Sequence, residues 1–342
     1  MGAVRLSLCL LILVFPLFSG CTARKRAERS FFAMDTYMSF TAYGADEKLL
    51  QEAEEIVRGI EDRLSVTKEG SEIRRLNETG QADISEETAI LLFSTLLYAD
   101  MTRGALDPSI YPVTKLWGFT TGEYRVPARG EIEALLPLVD YTKIQITENE
   151  AGTSKAMLPE GAMIDLGAVA KGFTGVVLRD YLRQKGVQSA LLDLGGNIQA
   201  VGKKPGGAPF QIAVKDPGRD GYLGVLSLDL PDLAVVTSGA YERYFEEGGV
   251  RYGHIMDPKS GRPAASGLLS VTVIHNDGVL CDAMSTALFV MGEERAIELW
   301  RKLNSFEFLI VTEDGRLLVS EGNEGRFTKD SGCAYKAEIV HR

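Results

Sequence analysis

Asp282, Ser285 and Thr286 are spaced so that their side-chain oxygens can meet. Residues three and four positions apart share one face of a helix, and an apolar helix is predicted at residues 282–291. A carboxylate with two hydroxyls is a donor set that a hard cation accepts. The structural alternative is an aspartate that caps the helix, with hydroxyls bonded to the preceding turn. This segment by itself favours the capping role.

A second stretch, residues 165–172, is suited to binding an anion. It follows an apolar stretch and opens a predicted helix, where the first backbone N–H groups have no partner within the helix. Asp165 and Lys171 add a hydrogen-bond acceptor and a cation for a phosphate group. The spacing matches neither a Walker A loop nor a GxGxxG fingerprint, and a glycine-rich turn of this kind is more often only a turn.

His254 is the best candidate for a general base among the three histidines of the chain. His275 ends a predicted strand and His341 lies near the C-terminus. His254 precedes a turn signal at residues 257–261, where a loop can present an imidazole to a substrate. A single histidine is more often structural. The sequence contains no cysteine and histidine spacing typical of zinc sites and no GxSxG serine motif.

Hydrophobic periodicity predicts the elements that position these residues. Thr36–Tyr43 alternates as a strand does, residues 46–64 have helical spacing, and Ser85 can cap a second helix that ends near Gly104. Residues 107–122 contain two prolines and are predicted to form a structured loop. Further strands are predicted at 143–147, 189–193, 210–214, 224–230, 268–275 and 306–312, and further helices at 168–185, 282–291 and 294–303.

This mixture of hairpin and crossover spacings predicts an α+β or mixed α/β fold, in which layered mixed β-sheets are flanked by helices. The 342 residues are 45% hydrophobic and 25% charged, which is ordinary for a globular protein and excludes disorder. With 37 Lys+Arg and 47 Asp+Glu, the net charge of −10 argues against nucleic-acid binding.

Residues 1–21 have the pattern of an export signal. Arg5 precedes an apolar run at residues 6–18 that is too short to span a bilayer, and small residues then lead into Cys21. The pattern resembles a bacterial lipoprotein signal, which implies cleavage after residue 20 and lipid attachment to the thiol of Cys21. An ordinary signal peptide with an incidental cysteine is the alternative.

These expectations divide the chain into a signal peptide at residues 1–20, a lipidated cysteine with a basic tether at 21–30, and one domain at 31–342. The protein is expected in the bacterial cell envelope, anchored to a membrane and facing the periplasm or the exterior. The tether suits anionic headgroups, or is simply solvated. Cys281 and Cys333 remain after export and could form one disulfide. The basic residues of the tether are Arg24, Lys25, Arg26 and Arg29.

Taken together and in order, eight motifs resemble the ApbE family, the flavin transferases known as FAD:protein FMN transferases. They cover nearly all of the chain that follows the signal. The motifs are Met34-Asp35-Thr36, residues 71–77, residues 104–108 with 116–119, residues 165–172, Gly195-Gly196-Asn197, residues 238–245, residues 254–258, and residues 282–286 with 288–290.

The resemblance implies an exported enzyme that binds FAD with Mg²⁺, breaks the pyrophosphate and transfers FMN to a Ser or Thr hydroxyl, releasing AMP. The implied acceptor is an exported protein, such as a subunit of a membrane redox complex, with an Asp-x-x-Ser/Thr-like sequence. His254 would deprotonate the hydroxyl. Mg²⁺ would be held by Asp282, Ser285, Thr286 and the carbonyl of Ala168, and FAD would be lined by Met34, Ala105, Leu106, Asp107, Asp165, Lys171 and Met256.

Two other functions are alternatives, and Asp282, Thr286 and His254 argue against the second of them. One is hydrolysis of FAD to FMN and AMP, and the other is flavin binding by a non-catalytic lipoprotein. The chain also departs from the family pattern at single positions. Asp35 stands where the family commonly has glycine, Ala240 where an aspartate is frequent, and Thr67 where an aromatic partner for the flavin is expected.

Overall fold

The computed structural model describes residues 25–148 and 154–342, so the predicted signal peptide and Cys21 lie outside the described residues. The α-helices of the described ranges are α1 (Glu47–Leu64), α2 (Glu72–Thr79), α3 (Glu86–Met101), α4 (Tyr111–Leu116), α5 (Arg129–Leu135), α6 (Gly167–Gln184), α7 (Gly278–Met291) and α8 (Glu293–Leu303). The strands are β1 (Arg26–Ala33), β2 (Thr36–Tyr43), β3 (Gln81–Ile84), β4 (Gln145–Glu148), β5 (Ser154–Met157), β6 (Ser189–Asp193), β7 (Asn197–Gly202), β8 (Phe210–Lys215), β9 (Tyr222–Leu228), β10 (Ala234–Gly239), β11 (Tyr244–Glu247), β12 (Val250–Gly253), β13 (Met256–Asp257), β14 (Arg262–Pro263), β15 (Leu268–His275), β16 (Glu307–Thr312), β17 (Arg316–Ser320), β18 (Phe327–Lys329) and β19 (Lys336–Val340).

A nine-stranded sheet with the order β1-β2-β6-β7-β10-β15-β16-β17-β19 organises the molecule. Its strand pairs are antiparallel except for the last one, in which β17 and β19 run parallel. Smaller sheets are formed by β18-β9-β8 and by β3-β5-β4, and two hairpins are formed by β11-β12 and β13-β14. The predicted α+β class with mixed sheets and flanking helices is confirmed.

Helices cover one face of the nine-stranded sheet. Leu50 of α1 lies in a buried cluster with Phe40 of β2, and Leu288 of α7 lies in a second cluster with Val271 of β15. Helix α7 is apolar on nearly all sides, because it packs against β10 and β15 on one side and against α6 on the other. On the opposite face of the sheet, the β18-β9-β8 sheet covers β10, β16 and β17.

Most element predictions are confirmed to within two residues, since regular alternation and helical spacing mark these elements. The strands at 189–193 and 268–275 have the predicted bounds. The side chain of Asp46 accepts a hydrogen bond from Leu49 N at the start of α1, and the predicted cap Ser85 accepts one from Thr88 N at the start of α3. Helix α2 was not predicted, because its eight residues contain only two apolar positions, Ile73 and Leu76, which are too few to establish a period.

The predicted start of α7 at Asp282 is wrong. The helix begins at Gly278, where the carboxylate of Asp277 accepts hydrogen bonds from Val279 N and Leu280 N. Asp282 therefore lies in the second turn and does not cap the helix. The predicted start is wrong because Asp282 is the first polar side chain after an apolar run, and a capping residue commonly occupies such a position in a sequence.

Two further boundaries differ from the predictions. Residues 107–122, predicted as a loop, contain a 3₁₀ turn at Pro108–Ile110 and the short helix α4, in which Pro112 occupies an early position that suits proline. The predicted tether is too long at its C-terminal end. Strand β1 already begins at Arg26, and Arg29 in this strand bonds to the carboxylate of Glu54 at 2.5 Å.

Cys281 and Cys333 are both buried and free, so they do not form the disulfide that the sequence allowed. Among the helices of residues 25–148 and 154–342, none is long and apolar enough to cross a membrane.

Candidate active site

A cavity of about 650 Å³ opens where the turns of the nine-stranded sheet meet α6 and α7. Its size is typical of sites for small molecules and cofactors. The cavity is lined by the β1–β2 turn, the β6–β7 turn, the start of α6, two residues of α7, residues 241–243, residues 254–256 and Pro258.

Two tight turns pack against each other at the cavity rim. Met34 and Asp35 connect β1 to β2 with φ values of 48° and 57°, in the left-handed region that two-residue hairpin turns require. A Cβ atom on Gly195 in the β6–β7 turn would overlap the side chain of Thr36, so only glycine fits there. The positive φ of Asp35 also gives a physical reason for the glycine that the family commonly has at this position.

The crossing of α6 over α7 places the carboxylate of Asp282 beside the first turns of α6. A Cβ atom on Gly172 would overlap the carbonyl oxygen of Gly278, so the two backbones can approach this closely only at glycine. Gly172 N donates to Oδ2 of Asp282 at 2.8 Å. In a regular helix that N–H donates to the carbonyl of Ala168. The carboxylate and the carbonyl predicted to share a cation therefore lie near the same point of α6.

Three hydroxyls form a cluster next to Asp282. Ser238 Oγ lies 2.8 Å from Ser285 Oγ and 3.3 Å from Thr286 Oγ1, and Ser285 Oγ also donates to the carbonyl of Asp282 at 3.0 Å. Asp282, Thr286 and Ser238 line the cavity, whereas Ser285 is fully buried and is not among the lining residues of the described chain. Ser285 thus orients Ser238 in this structure.

These oxygen donors suit a divalent cation whose coordination is completed by the phosphate oxygens of a ligand. No group of three Asp, Glu, His or Cys side chains in the described ranges could hold a metal ion by itself. Mg²⁺ is commonly held by one or two carboxylates together with water and substrate phosphates. Asp282 is 4% exposed, and burial raises the pKa of its carboxyl although Lys171 and the N–H of Gly172 oppose this. A nearby cation would stabilise such a buried carboxylate.

Three cationic side chains line the cavity, and none of them forms an ion pair with a described residue: Lys171, Lys215 and Arg243. Nη2 of Arg243 donates to the carbonyl of Phe119 at 3.1 Å, which holds the guanidinium at the wall. Desolvation, together with the charge of Asp282, raises the pKa of Glu242 to about 7, although Lys171 and Lys215 oppose the shift. Unpaired cations of this kind suit the phosphates of a ligand.

His254 is held in one tautomer by the backbone of Arg243. Its Nδ1 lies 3.1 Å from the carbonyl oxygen of Arg243, which also accepts the backbone N–H of His254 at 3.0 Å. A carbonyl oxygen only accepts hydrogen bonds, so Nδ1 carries the proton and Nε2 keeps a lone pair. Desolvation first, and then the charge of Arg243, lower the pKa of His254 to about 4. The imidazole is therefore neutral at pH 7.

The loop before α4 is fixed by Asp107. Its carboxylate accepts hydrogen bonds from Ser109 N at 2.9 Å, from Ser109 Oγ at 2.6 Å and from Tyr141 N at 3.2 Å. These bonds hold the buried residues Ala105 and Leu106 at the cavity wall. Asp165 N donates to the carbonyl of Pro108 at 2.9 Å, which joins this loop to the start of α6.

Asn197 has two unpaired polar atoms at the cavity. The side chain is 2% exposed and lines the cavity, yet neither Nδ2 nor Oδ1 has a hydrogen-bond partner in the described chain. Buried polar groups in native proteins are nearly always paired. A ligand with an adjacent donor and acceptor would satisfy this amide.

The structure brings almost all of the predicted site residues to this one cavity. Several further lining residues with polar side chains were given no role from the sequence, and five of them matter for the chemistry of the site: Asn197, Lys215, Ser238, Glu242 and Arg243. Four of these lie within recognised motifs, whereas no sequence signal marks Lys215. The predicted residues at the cavity are Met34, Ala105, Leu106, Asp107, Asp165, Ala168, Lys171, His254, Met256, Asp282 and Thr286.

A neutral base that shares a cavity with phosphate-binding groups is characteristic of enzymes that transfer or cleave phosphoryl groups. Residues 34–310 match the sequence model of the ApbE family. The chain belongs to the ApbE family, and the resemblance found in the motifs is confirmed.

The sequence is similar to named proteins over most of their length. The chain is 34% identical to an FAD:protein FMN transferase of Haemophilus influenzae over 276 residues, which are 78% of this chain and 80% of that protein. It is 33% identical to an FAD:protein FMN transferase of Vibrio cholerae over 280 residues, which are 79% of this chain and 82% of that protein.

Solved structures show the same fold. The ApbE protein of Thermotoga maritima superposes with a TM-score of 0.81 at 33% identity, covering 89% of this chain and 100% of that one. The flavinyl transferase ApbE of Pseudomonas stutzeri, in its apo form, superposes with a TM-score of 0.76 at 28% identity, covering 85% of this chain and 92% of that one.

Proposed function

We propose that this protein is an FAD:protein FMN transferase. It cleaves the pyrophosphate of FAD, attaches FMN to a Ser or Thr hydroxyl of an exported protein, and releases AMP. The observation that carries the proposal is the cavity that unites His254, whose Nε2 is free to accept a proton, with unpaired cations and with the oxygens of Asp282 and Thr286. Two relatives that match this chain over about four fifths of their own length are named for the same reaction, which supports the proposal.

His254 acts as the general base in this reaction. Its Nε2 accepts the proton of the acceptor hydroxyl, while Nδ1–H stays bonded to the carbonyl of Arg243. The hydroxyl oxygen then bonds to the phosphorus next to the flavin ribityl chain. The bond from that phosphorus to the bridging oxygen breaks, and AMP leaves with the electron pair. The neutral histidine thus becomes an imidazolium, and the proton is later lost to solvent.

The cations of the cavity stabilise the charge that develops on the phosphates. Lys171 and Arg243 line the cavity, where fixed charges that face a bound ligand act more strongly than they would across open water. Asp282, Thr286 and the carbonyl of Ala168 would hold Mg²⁺, with Ser285 supporting them through Ser238. Bound there, Mg²⁺ would offset the negative charge of the pyrophosphate.

The protein acts at the outer side of a membrane in this proposal. The lipoprotein-like signal at residues 1–20 and Cys21 supports export and lipid anchoring. An enzyme anchored in this way meets exported acceptors such as subunits of membrane redox complexes. A flavin-storage protein would have no need for a base in the same cavity as oxygen donors that suit a metal ion.

Mass spectrometry tests the proposal directly. The protein from residue 22 is incubated with FAD, Mg²⁺ and the exported domain of a membrane redox-complex subunit that carries an Asp-x-x-Ser/Thr sequence, while AMP is measured. A mass increase of one FMN on the acceptor, lost with EDTA and in His254→Ala, is expected. AMP and free FMN without a modified acceptor would identify an FAD hydrolase, and absence of AMP would leave only a flavin-binding protein.

A further inference from the structure

The acceptor protein must bind outside the cavity. A volume of about 650 Å³ suits a small molecule such as FAD. It is far too small to hold a protein domain in addition to that molecule. The acceptor therefore extends one hydroxyl to Nε2 of His254, and the chain on both sides of that hydroxyl lies on the rim. This reasoning rests on the proposed function and asks which part of the rim receives the acceptor.

The hairpin of β11 and β12 rises from the rim next to His254. Tyr244 pairs with Gly253, and the turn at Gly248 and Gly249 has positive φ values. In the described chain these two strands pair only with each other, so their outer edges carry no further strand. The bond from His254 N to the carbonyl of Arg243 continues the pairing by one step, so the base lies at the foot of the hairpin.

One face of the hairpin is fixed by stacked aromatic rings. The ring of Phe245 stacks on Tyr252 at 5.2 Å and on Tyr124 at 5.3 Å, with interplanar angles of 21° and 16°. Trp117 and Phe119 pack against the same stack, and Phe119 also contacts the ring of His254 at 6.4 Å. The hairpin is thus held rigidly relative to the base, which a positioning surface requires.

Apolar and charged groups remain open along the hairpin. Val250 is 51% exposed, Tyr124 47% and Tyr244 41%. On the other face, the guanidinium of Arg251 lies 4.0 Å from the ring of Tyr244 and 3.2 Å from the carboxylate of Glu246. Rigid aromatic rings with a stacked arginine are the side chains that dominate protein interfaces.

We propose that the hairpin Tyr244–Gly253, together with Tyr124, is the docking surface for the acceptor protein. The acceptor lays an extended segment with apolar side chains against Val250 and the exposed ring of Tyr124, which lie on the face of the aromatic stack, and its Ser or Thr then reaches His254 at the foot of the hairpin. Position favours this occupant, because the hairpin continues directly into the pairing of His254 with Arg243 and so lies beside the base that must receive the hydroxyl.

Kinetics of a shortened hairpin test the docking surface. Deleting Glu246, Glu247, Val250 and Arg251 while keeping Gly248 and Gly249 joins Phe245 to Tyr252 through the same two-residue turn. Two cross-strand pairs are removed, so the alternation of faces is preserved. We expect the KM for the acceptor to rise about tenfold or more, with kcat and the FAD dissociation constant unchanged within about twofold.

A point substitution with a matched control supports the deletion. Val250→Asp places a charge on the hairpin, and Ile339→Asp places one on β19 at the far edge of the nine-stranded sheet, where Ile339 is 40% exposed. The acceptor probes are the folded exported domain used above and a synthetic peptide with its Asp-x-x-Ser/Thr sequence. Only Val250→Asp should raise the KM for the folded domain.

Each outcome decides the question. If the wild-type protein modifies the acceptor and both hairpin variants keep its KM, the docking surface is refuted while the transferase function stands. A change of oligomeric state in ultracentrifugation with an unchanged KM would assign the hairpin to self-association and also overturn the inference. If the wild-type protein modifies no acceptor but releases AMP and FMN, the proposed function fails, and the docking surface fails with it.

Discussion

The chemistry of His254 depends on one backbone carbonyl and on its neighbours. The carbonyl of Arg243 keeps the proton on Nδ1, and desolvation with the nearby cations disfavours the imidazolium. A histidine in water has a pKa near 6.5 and would be partly protonated in mildly acidic medium. In this cavity the imidazole stays neutral over that range.

The pH profile of the reaction should show this shift. Because the pKa of His254 is lowered to about 4, the base should stay functional as pH falls through 6.5, and kcat/KM should decline only as pH approaches 4. Initial rates of AMP release, measured at each pH across this range, give the profile. Glu242, whose pKa is about 7, is the other candidate for an inflection, so Glu242→Gln serves as the control. A decline centred at 6.5 in that control would contradict the assignment.

Asp282→Asn separates metal binding from folding. Burial raises the pKa of the Asp282 carboxyl, which means that the ionised form is destabilised in the fold at neutral pH. The amide oxygen can still accept from Gly172 N. We expect Mg²⁺-dependent turnover to fall at least about a hundredfold, with thermal stability without Mg²⁺ unchanged or higher. Full Mg²⁺-dependent turnover in this variant or in Asp282→Ala would show that the metal assignment is wrong.

Asn197→Ala tests the unpaired amide. Its two polar atoms have no partner in the described chain, so their removal costs the ligand-free protein no hydrogen bond. We expect FAD to bind about tenfold more weakly, or 1.4 kcal/mol less favourably, while the melting temperature without ligand changes little. Flavin fluorescence titration and thermal unfolding measure the two effects. Unchanged FAD affinity would place the amide away from the substrate.

At the scale of elements, the contact between α6 and α7 decides where the donors of the proposed cation site lie. Both helices contribute glycine at the crossing, and the carboxylate of Asp282 reaches α6 only because Gly172 and Gly278 allow the backbones to touch. The predicted helix over residues 168–185 was correct, but its crossing partner could not be read from its own sequence.

Gly172→Ala should disrupt this contact. The added Cβ meets the backbone carbonyl of Gly278, which cannot move as a flexible side chain can. We expect a loss of about 1–3 kcal/mol in the free energy of unfolding, measured with denaturant, together with weaker Mg²⁺ dependence. The control is Gly130→Ala in α5, where a Cβ atom meets nothing within 4 Å. This control should be neutral or slightly stabilising, and equal losses in both variants would contradict the crossing argument.

At the scale of the whole molecule, the active cavity lies where the helical layer, the nine-stranded sheet and the β18-β9-β8 sheet come together. Strand β8 contributes Lys215, α6 contributes Lys171, and α7 contributes Asp282. Two buried clusters lie between the helices and the nine-stranded sheet, and a third lies between that sheet and the β18-β9-β8 sheet, so the elements around the cavity are held by packed side chains. Rigid support of this kind allows charged side chains to remain unpaired at the cavity.

The proposed membrane attachment concerns the whole chain and is tested at Cys21. Cys21→Ser removes the thiol to which a lipid would be attached. We expect palmitate incorporation to be lost and the protein to move from the membrane fraction to the soluble fraction of the cell envelope. A variant that still incorporates palmitate would contradict lipid attachment at Cys21.

Local patterns in the sequence predicted much of the fold. Alternation marked β2, a short apolar run marked β6 and a β-branched apolar run marked β15, because the pattern of each strand reflects its own burial. Short elements such as α2 and α4 were missed, since one or two turns give too few positions for a period. The start of α7 was misplaced because a polar residue inside a buried helix resembles a cap.

The sequence by itself determined the residue types of the site, the family and most of the elements that carry them. Only the tertiary structure decided that Ser285 supports Ser238, that Arg243 sets the tautomer of His254, and that Asn197 is unpaired. The bond between Gly172 and Asp282 joins residues 110 positions apart. Periodicity describes the burial of one element, whereas desolvation, charge proximity and hydrogen bonding at the cavity depend on how several elements pack around it.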